Sequence, residues 1–360
     1  MKLVTRNSQL LIMKTKHIII TAITLFIGCG LFTACEQEIE FKGKITEPML
    51  VVNGFLTPDS LIKVHLSESH FFTTPSSQFK NIENAEVSIL YENGSEEVLR
   101  YTTDGYYQGN NTPTPGEKIK IKVLSSGYEQ IETSTDIKEK ISLTSVEAGN
   151  YRVNKSASLM YITNNKYDTI GINHNCFVDV NLKFSDPGGI QNYYRLVLNI
   201  TEYYSGGTIQ TRPAYFYVKD ALAGSQMDLL DFEGGIEPYN EFADDLYDGK
   251  DFSLRIPINY YSYYESKQQP NPDGMYYNPY SDPEEEEEEL IRIELTAKLQ
   301  SISRDYYLYL KTRSEAEASS DFGGLFSEPI QIYSNVKGGL GILGSYNSSN
   351  RTISLNIPEK

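Results

Sequence analysis

The chain has 360 residues, 32 Lys and Arg against 48 Asp and Glu, a formal net charge of −16, and 28 Tyr, 15 Phe and no Trp. So acidic a surface repels phosphate backbones, which proteins bind by neutralising charge with Lys and Arg, and nucleic-acid partners are therefore excluded. The length allows two domains, and three cysteines are too few for a disulfide framework.

Residues 1–34 read as an export signal. Lys14, Lys16 and His17 form a basic cluster, Ile18 to Leu31 are almost wholly apolar, and Thr33 and Ala34 are small. That order of charge, apolar core and small exit belongs to a segment that is cleaved and takes no part in the fold. Its apolar run is shorter than the ~20 residues of a spanning helix. "MKTKH" from Met13 makes a better charged region than the residues before it. "LFTAC" at 31–35 resembles the lipobox of bacterial lipoproteins, which implies that Cys35 is diacylated and becomes the mature N-terminus. Phe32 stands where leucine is usual, and "FIGC" ending at Cys29 is a poorer match. Each buried acyl methylene would contribute ~0.8 kcal/mol to anchoring. Glu36, Glu38 and Glu40 resemble the acidic signal that sends lipoproteins to the outer face of the outer membrane. Without residues 1–34 the chain keeps 28 of its 32 basic residues and all 48 acids, a net charge near −20.

Residues 35–47 are polar and read as a tether. From Pro48 a period of two sets in: Ile62, Val64 and Leu66 alternate with Lys63 and His65, and "KIKIKV" alternates Lys118, Lys120 and Lys122 with Ile119, Ile121 and Val123. Asn93-Gly94 between two strand-like runs is a hairpin signal. Short strands with turns every eight to twelve residues predict a mainly β chain of two tandem antiparallel β-sandwiches of the Ig or fibronectin kind, the first over 48–138 and the second over 139–360. In the second, strands are expected near 141–147, 157–163, 329–334 and 351–356, with Cys176 on the buried face of "CFVDVNLKF". "IRIELTAKLQ" alternates strictly from Ile291, and Ser303 is placed to cap a short helix, "RDYYLYLKTRSEAEA". Between 220 and 290 the periodicity fades, which predicts an elaborated insertion.

"PMLVVNGFLTPDSLIKVHLSES", "FSDPGGIQNYYRL", "SISRDYYLYL" and "SEPIQIYSNVKGGLGILG", following a lipobox in that order, resemble the Bacteroidota lipoproteins grouped as domain of unknown function 4249. The resemblance covers nearly the whole mature chain. It implies a lipid-anchored protein at the outer membrane, facing the cell exterior, with a TonB-dependent transporter as its partner. It transfers no catalytic residues.

No residue pattern calls for a cofactor, a metal or a catalytic group, and none is expected. "GLGILG", Gly339 to Gly344, fits G-x-G-x-x-G, but the chain ends before the helix and acid of a dinucleotide site, so a glycine-rich bend before the last strand is expected. His65 and His70 have opposite parity on an extended chain. The six acids Glu284 to Glu289 lack the turn residues that wrap calcium and read as a solvated loop. Residues 258–283 hold seven tyrosines among Pro, Asn, Gln and Ser with no sustained alternation. Tyrosine offers large contact area at small entropic cost, so Tyr260, Tyr263, Tyr264, Tyr276 and Tyr277 form the candidate binding surface.

Three functions compete: a non-enzymatic surface lipoprotein assisting a transporter, an adhesin binding glycans or proteins, and a hydrolase with an unrecognised carboxylate site. Lipidation is separately testable. Cys35→Ala should move the protein from the membrane to the soluble fraction, and protease added to intact cells should digest the wild type. A variant that stays in the membranes would refute the anchor.

Overall fold

The computed structural model describes residues 47–70, 80–163, 166–216, 218, 239–245, 248–266, 288–321 and 330–358. Cys35 and the tether up to residue 46, together with Tyr276, Tyr277 and Glu284–Glu287, lie outside them. The described residues are mainly β, with fifteen strands and one long helix.

Alternation builds the first seven strands: β1 (Leu50–Leu56), β2 (Lys63–Glu68), β3 (Ala85–Leu90), β4 (Glu96–Tyr101), β5 (Tyr106–Gln108), β6 (Lys118–Ser125) and β7 (Ile131–Asp136). Ile119, Ile121 and Val123 are fully buried while the lysines between them face outward. Their order in the sheet is β1-β2-β5-β4-β3-β6-β7, and the inward side chains of all seven share one core. Each aliphatic side chain buried there contributes ~1.5–3 kcal/mol. The β3–β4 turn uses Gly94 at φ 83°, with Tyr91 and Ser95 pairing across it.

The second group comprises β8 (Leu143–Thr163), β9 (Lys166–Ser185), β10 (Tyr193–Tyr204), β11 (Ile209–Pro213), β12 (Glu241–Ala243), β13 (Asp251–Ser266), β14 (Leu290–Ile302), helix α1 (Arg304–Asp321) and β15 (Leu340–Leu355). A three-stranded sheet, β13-β9-β8, shares a second core with β10 and β14. Cys176 is fully buried in it, as its strand pattern predicts.

β15 belongs to both groups. Its first residues pair in parallel with β1, from Val51↔Leu340 to Leu56↔Ser345. The remainder pairs antiparallel with β14, from Ile302↔Tyr346 to Ile293↔Leu355. Of the glycines of "GLGILG", Gly339 forms the expected bend ahead of the strand, whereas Gly341 and Gly344 are residues of β15 itself. Gly341, at φ 107°, lies so close to β1 that a Cβ would collide with the Val52 carbonyl oxygen. Ser303 Oγ accepts the Tyr306 amide at 3.3 Å and the Ser345 amide at 3.1 Å, capping α1 and tying it to β15. The helix is longer than expected, and Tyr306 packs on Phe55 of β1 with ring centroids 4.5 Å apart.

Three further expectations need correction. The strands near 141–147 and 157–163 are one strand, β8, whose register to β9 shifts four times; these irregularities interrupt the apolar alternation by which a single strand would be recognised. No strand covers 330–334; that stretch is held from its end by Asn335, whose side chain bonds the Ser134 and Leu343 carbonyls at 3.0 and 2.9 Å. Residues 251–266 do not lose their periodicity, because Phe252, Leu254, Ile256 and Ile258 alternate into the second core as β13.

On the outer face of the three-stranded sheet Asp179 joins all three strands. Its buried carboxylate meets Arg152 of β8 at 3.0 Å and Arg255 of β13 at 2.5 Å, and accepts from Asn150 at 3.2 Å. Burial alone would raise this carboxyl. The hydrogen bonds from Arg255 and Asn150 and the two guanidinium charges outweigh it and hold the group below its ordinary range. A depressed folded value stabilises the protein fully above the unfolded value and less as pH falls through the folded one. Asp179→Ala should cost ~1.5–3 kcal/mol at neutral pH. In urea titrations the deficit should shrink below pH ~4; a deficit that does not change with pH would refute the assignment.

Candidate functional site

Two bulges shape one end of the second group. Along β13, Asn259 pairs with Phe177 and Tyr261 with Cys176, leaving Tyr260 as an extra residue. An extra residue inverts the side-chain parity beyond it. Ile258 and Tyr260 point into the core before the bulge, and Tyr261 and Tyr263 pack against the same core after it. The absence of alternation in "INYYSYY" is thus a bulged strand and not a loop. On the neighbouring sheet the register shifts so that Tyr203 faces Arg292 but Tyr204 faces Leu290, which leaves Ile291 exposed.

Between these bulges opens a cleft of about 560 Å³ lined by Tyr204, Tyr261, Tyr263, Tyr264, Glu265, Glu288 and Leu290. Of the candidate surface, Tyr263 and Tyr264 line it. Tyr260 does not: it is 2 % exposed within the core and can anchor no partner. Tyr276 and Tyr277 lie outside the described residues. Tyr261 and Glu265 belong to the 258–283 stretch but were not singled out within it, and Tyr204, Glu288 and Leu290 escaped the sequence reading as site residues. The doubled tyrosines 203–204, 260–261 and 263–264 were the available signal, since two equal large side chains in succession cannot both obey a two-residue period.

His174 supports the cleft from behind. It is 2 % exposed, its ring stacks on Tyr263 at 4.4 Å and 9°, and Nε2 lies 2.8 Å from Glu265 Oε2. Nδ1 is buried without a hydrogen bond. A bare lone pair there is tolerated better than an orphaned N–H, which assigns the proton to Nε2, donated to Glu265. Below the tyrosines, buried Glu202 accepts from Tyr204 and Arg212, both at 3.3 Å. Burial first, and then the charge of Glu202, raises the hydroxyls of Tyr204 and Tyr261 above their ordinary value. Burial, with Cys176 and Glu265, does the same for Tyr263. These phenols stay neutral.

A second constellation lies where the β9–β10 turn meets the connection from β12 to β13. Ligand atoms of Asp186, Asp244 and Asp248 fall within 4.8 Å of one another, the one convergent group of three such side chains among the described residues. His65 and His70 are not part of it, and neither are Glu288 and Glu289, the described end of the acidic tract. Each carboxylate already accepts a protein donor. Asp186 takes Tyr194 at 2.5 Å and the Gly249 amide at 2.9 Å, Asp244 the Asn192 amide at 2.8 Å, and Asp248 the Gly189 amide at 2.7 Å. The three could hold a divalent cation, and as they stand they clamp the turn to residues 244–249.

The family model described as Domain of unknown function (DUF4249) matches residues 36–352. No curated protein matches the chain. The stretches that carry the resemblance are structural joints. β1 and the GLGILG segment pair with each other, "SISRDYYLYL" caps the helix across them, and "FSDPGGIQNYYRL" forms the clamped turn. None of them lines the tyrosine cleft.

Burial lifts the Asp244 carboxyl above its ordinary range, and the Asp186 charge adds to that against the bond from the Asn192 amide. A raised folded value for an acid favours the protonated form, so stability is lost as pH rises through it. Asp244→Asn should therefore melt about 1–3 °C above wild type at neutral pH in chelator, with the gain fading below pH ~4. A lower melting temperature in chelator would refute this electrostatic account, and a calcium-dependent rise confined to wild type would place a cation among the carboxylates.

Proposed function

Because the chain belongs to the DUF4249 family, we propose that it is a surface-exposed outer-membrane lipoprotein that assists a TonB-dependent transporter by binding rather than by catalysis. The match begins at Glu36, directly behind Cys35, which supports cleavage and lipidation at that cysteine. The two larger of three buried clusters, one from residues 50–137 with Val336 and Leu343 and one from 143–355, support the reading of the fold as tandem sandwiches of the Ig or fibronectin kind. The first of these is completed by the start of β15, so their boundary at residue 138 is crossed once by the chain's end.

The observation that carries the binding reading is the cleft. Aromatic side chains with a polar tip, gathered around a concavity and ringed by polar groups, are what ligand pockets and interface centres use. Among the described residues the one thiol near it is not activated: Cys176 is buried, and burial raises its thiol above the ordinary value. A thiol kept protonated is a poor attacker.

Tyr261→Ser with Tyr263→Ser should abolish co-purification with the transporter from the native membrane. Both rings are partly buried, so a loss of melting temperature is expected, and a folded variant is confirmed by its circular dichroism. Undiminished co-purification of that folded variant would remove the cleft from consideration, and capture of a glycan or another protein in place of a transporter would favour the adhesin.

A further inference from the structure

We infer that the cleft recognises a cationic group, an ammonium or guanidinium carried by the ligand or partner; this deepens the binding function proposed above and rests on it. The lining supplies four tyrosines, two carboxylates and one leucine, and no Lys or Arg among the described residues. A ring face is the negative end of an aromatic quadrupole, and a cation placed over it within ~6 Å is attracted, more so where water is thinned. Glu265 and Glu288 add formal negative charge to the same walls. Glu265 is held in place by the His174 Nε2 proton, and His174 is in turn fixed by its stack on Tyr263, so one carboxylate and one ring face form a single braced wall. Arg212, which shares Glu202 with Tyr204, is also bonded to the Tyr260 carbonyl at 2.6 Å.

The chain shows the same recognition built intramolecularly one residue away. Arg292 lies 3.8 Å over the Tyr203 ring, the Tyr203 hydroxyl donates to Glu294 at 2.8 Å, and Arg292 meets Glu294 at 3.2 Å. Ring, carboxylate and guanidinium close a triangle. Lys63 over Tyr106 at 4.0 Å and Arg313 over Tyr239 at 5.1 Å repeat the ring-and-cation part. Among the described residues the lining of the cleft presents tyrosines and the carboxylates Glu265 and Glu288 with no Lys or Arg, and we assign the basic member of this arrangement to a ligand. A neutral sugar would also stack on tyrosine, but it gives the two carboxylates no charge to meet.

The probe is choline, set against its neutral isostere 3,3-dimethylbutan-1-ol and against methyl glucoside, titrated calorimetrically into the full chain purified in detergent. Choline should bind about tenfold more tightly than the isostere. Its affinity should fall as ionic strength rises, and Glu265→Gln with Glu288→Gln should remove the preference while the melting temperature holds. Equal affinity for choline and the isostere, binding of the glucoside alone, or no choline binding would overturn the cationic class. If co-purification with the transporter still depends on Tyr261 and Tyr263 in that event, the ligand class has failed and the cleft's role in binding has not.

Discussion

The parallel pairing of β1 with the start of β15 is the constraint on which the rest of the structure depends. It joins residues 51–56 to residues 340–345, nearly the full length of the described chain. Closing so long a loop costs entropy, but the cost grows only logarithmically with length, and a cooperative seam repays it. The seam here is broad. Ser345 Oγ donates to the Asp136 carbonyl at 2.5 Å and Asn347 to the Lys138 carbonyl at 3.0 Å, so the connection between the two strand groups is bonded to β15 as it passes. Asn335 adds bonds to β7 and to Leu343, and Glu132 of β7 exchanges backbone bonds with Lys337. The far edge of the first group is thereby brought to the approach of β15.

How much of this was legible in the sequence depended on the range of the interaction. β6 and β14 from Ile293 onward were readable because a period of two is local and neither stretch is interrupted; the alternation expected from Ile291 fails at that residue, which the register shift leaves exposed. The Ser303 cap was readable because its partner is three residues away. β13 carried an equally regular run at Phe252, Leu254, Ile256 and Ile258, but Pro257 and the bulge at Tyr260 mask it. The role of Gly339, Gly341 and Gly344 was not legible. A glycine tells of close approach without telling what approaches, and here the neighbours are β1 and Tyr306, hundreds or tens of residues away.

The cleft was legible only in part for the same reason. Tyr263 and Tyr264 stand in a stretch whose composition drew attention, whereas Tyr204 and Leu290 become their neighbours only once two sheets face each other. Its chemistry is emergent from bulges in two strands, each of which turns an ordinary surface tyrosine toward a common space. The four stretches that carry the resemblance lie elsewhere, in the seam and the clamped turn, while the family match as a whole, residues 36–352, runs through the cleft residues as well.

The shared strand also sets an order of events during biogenesis. A chain made or threaded from its N-terminus presents β1 to β7 long before residues 340–345 exist, and until they arrive one edge of β1 has no neighbour. Val52 and the other core residues of the first group are then covered on one side only, beside a row of unpaired amides and carbonyls that could template the wrong strand. Maturation of the first group must wait for residues 340–345. A product that stops before residue 340 would lose the closure of the part synthesised first.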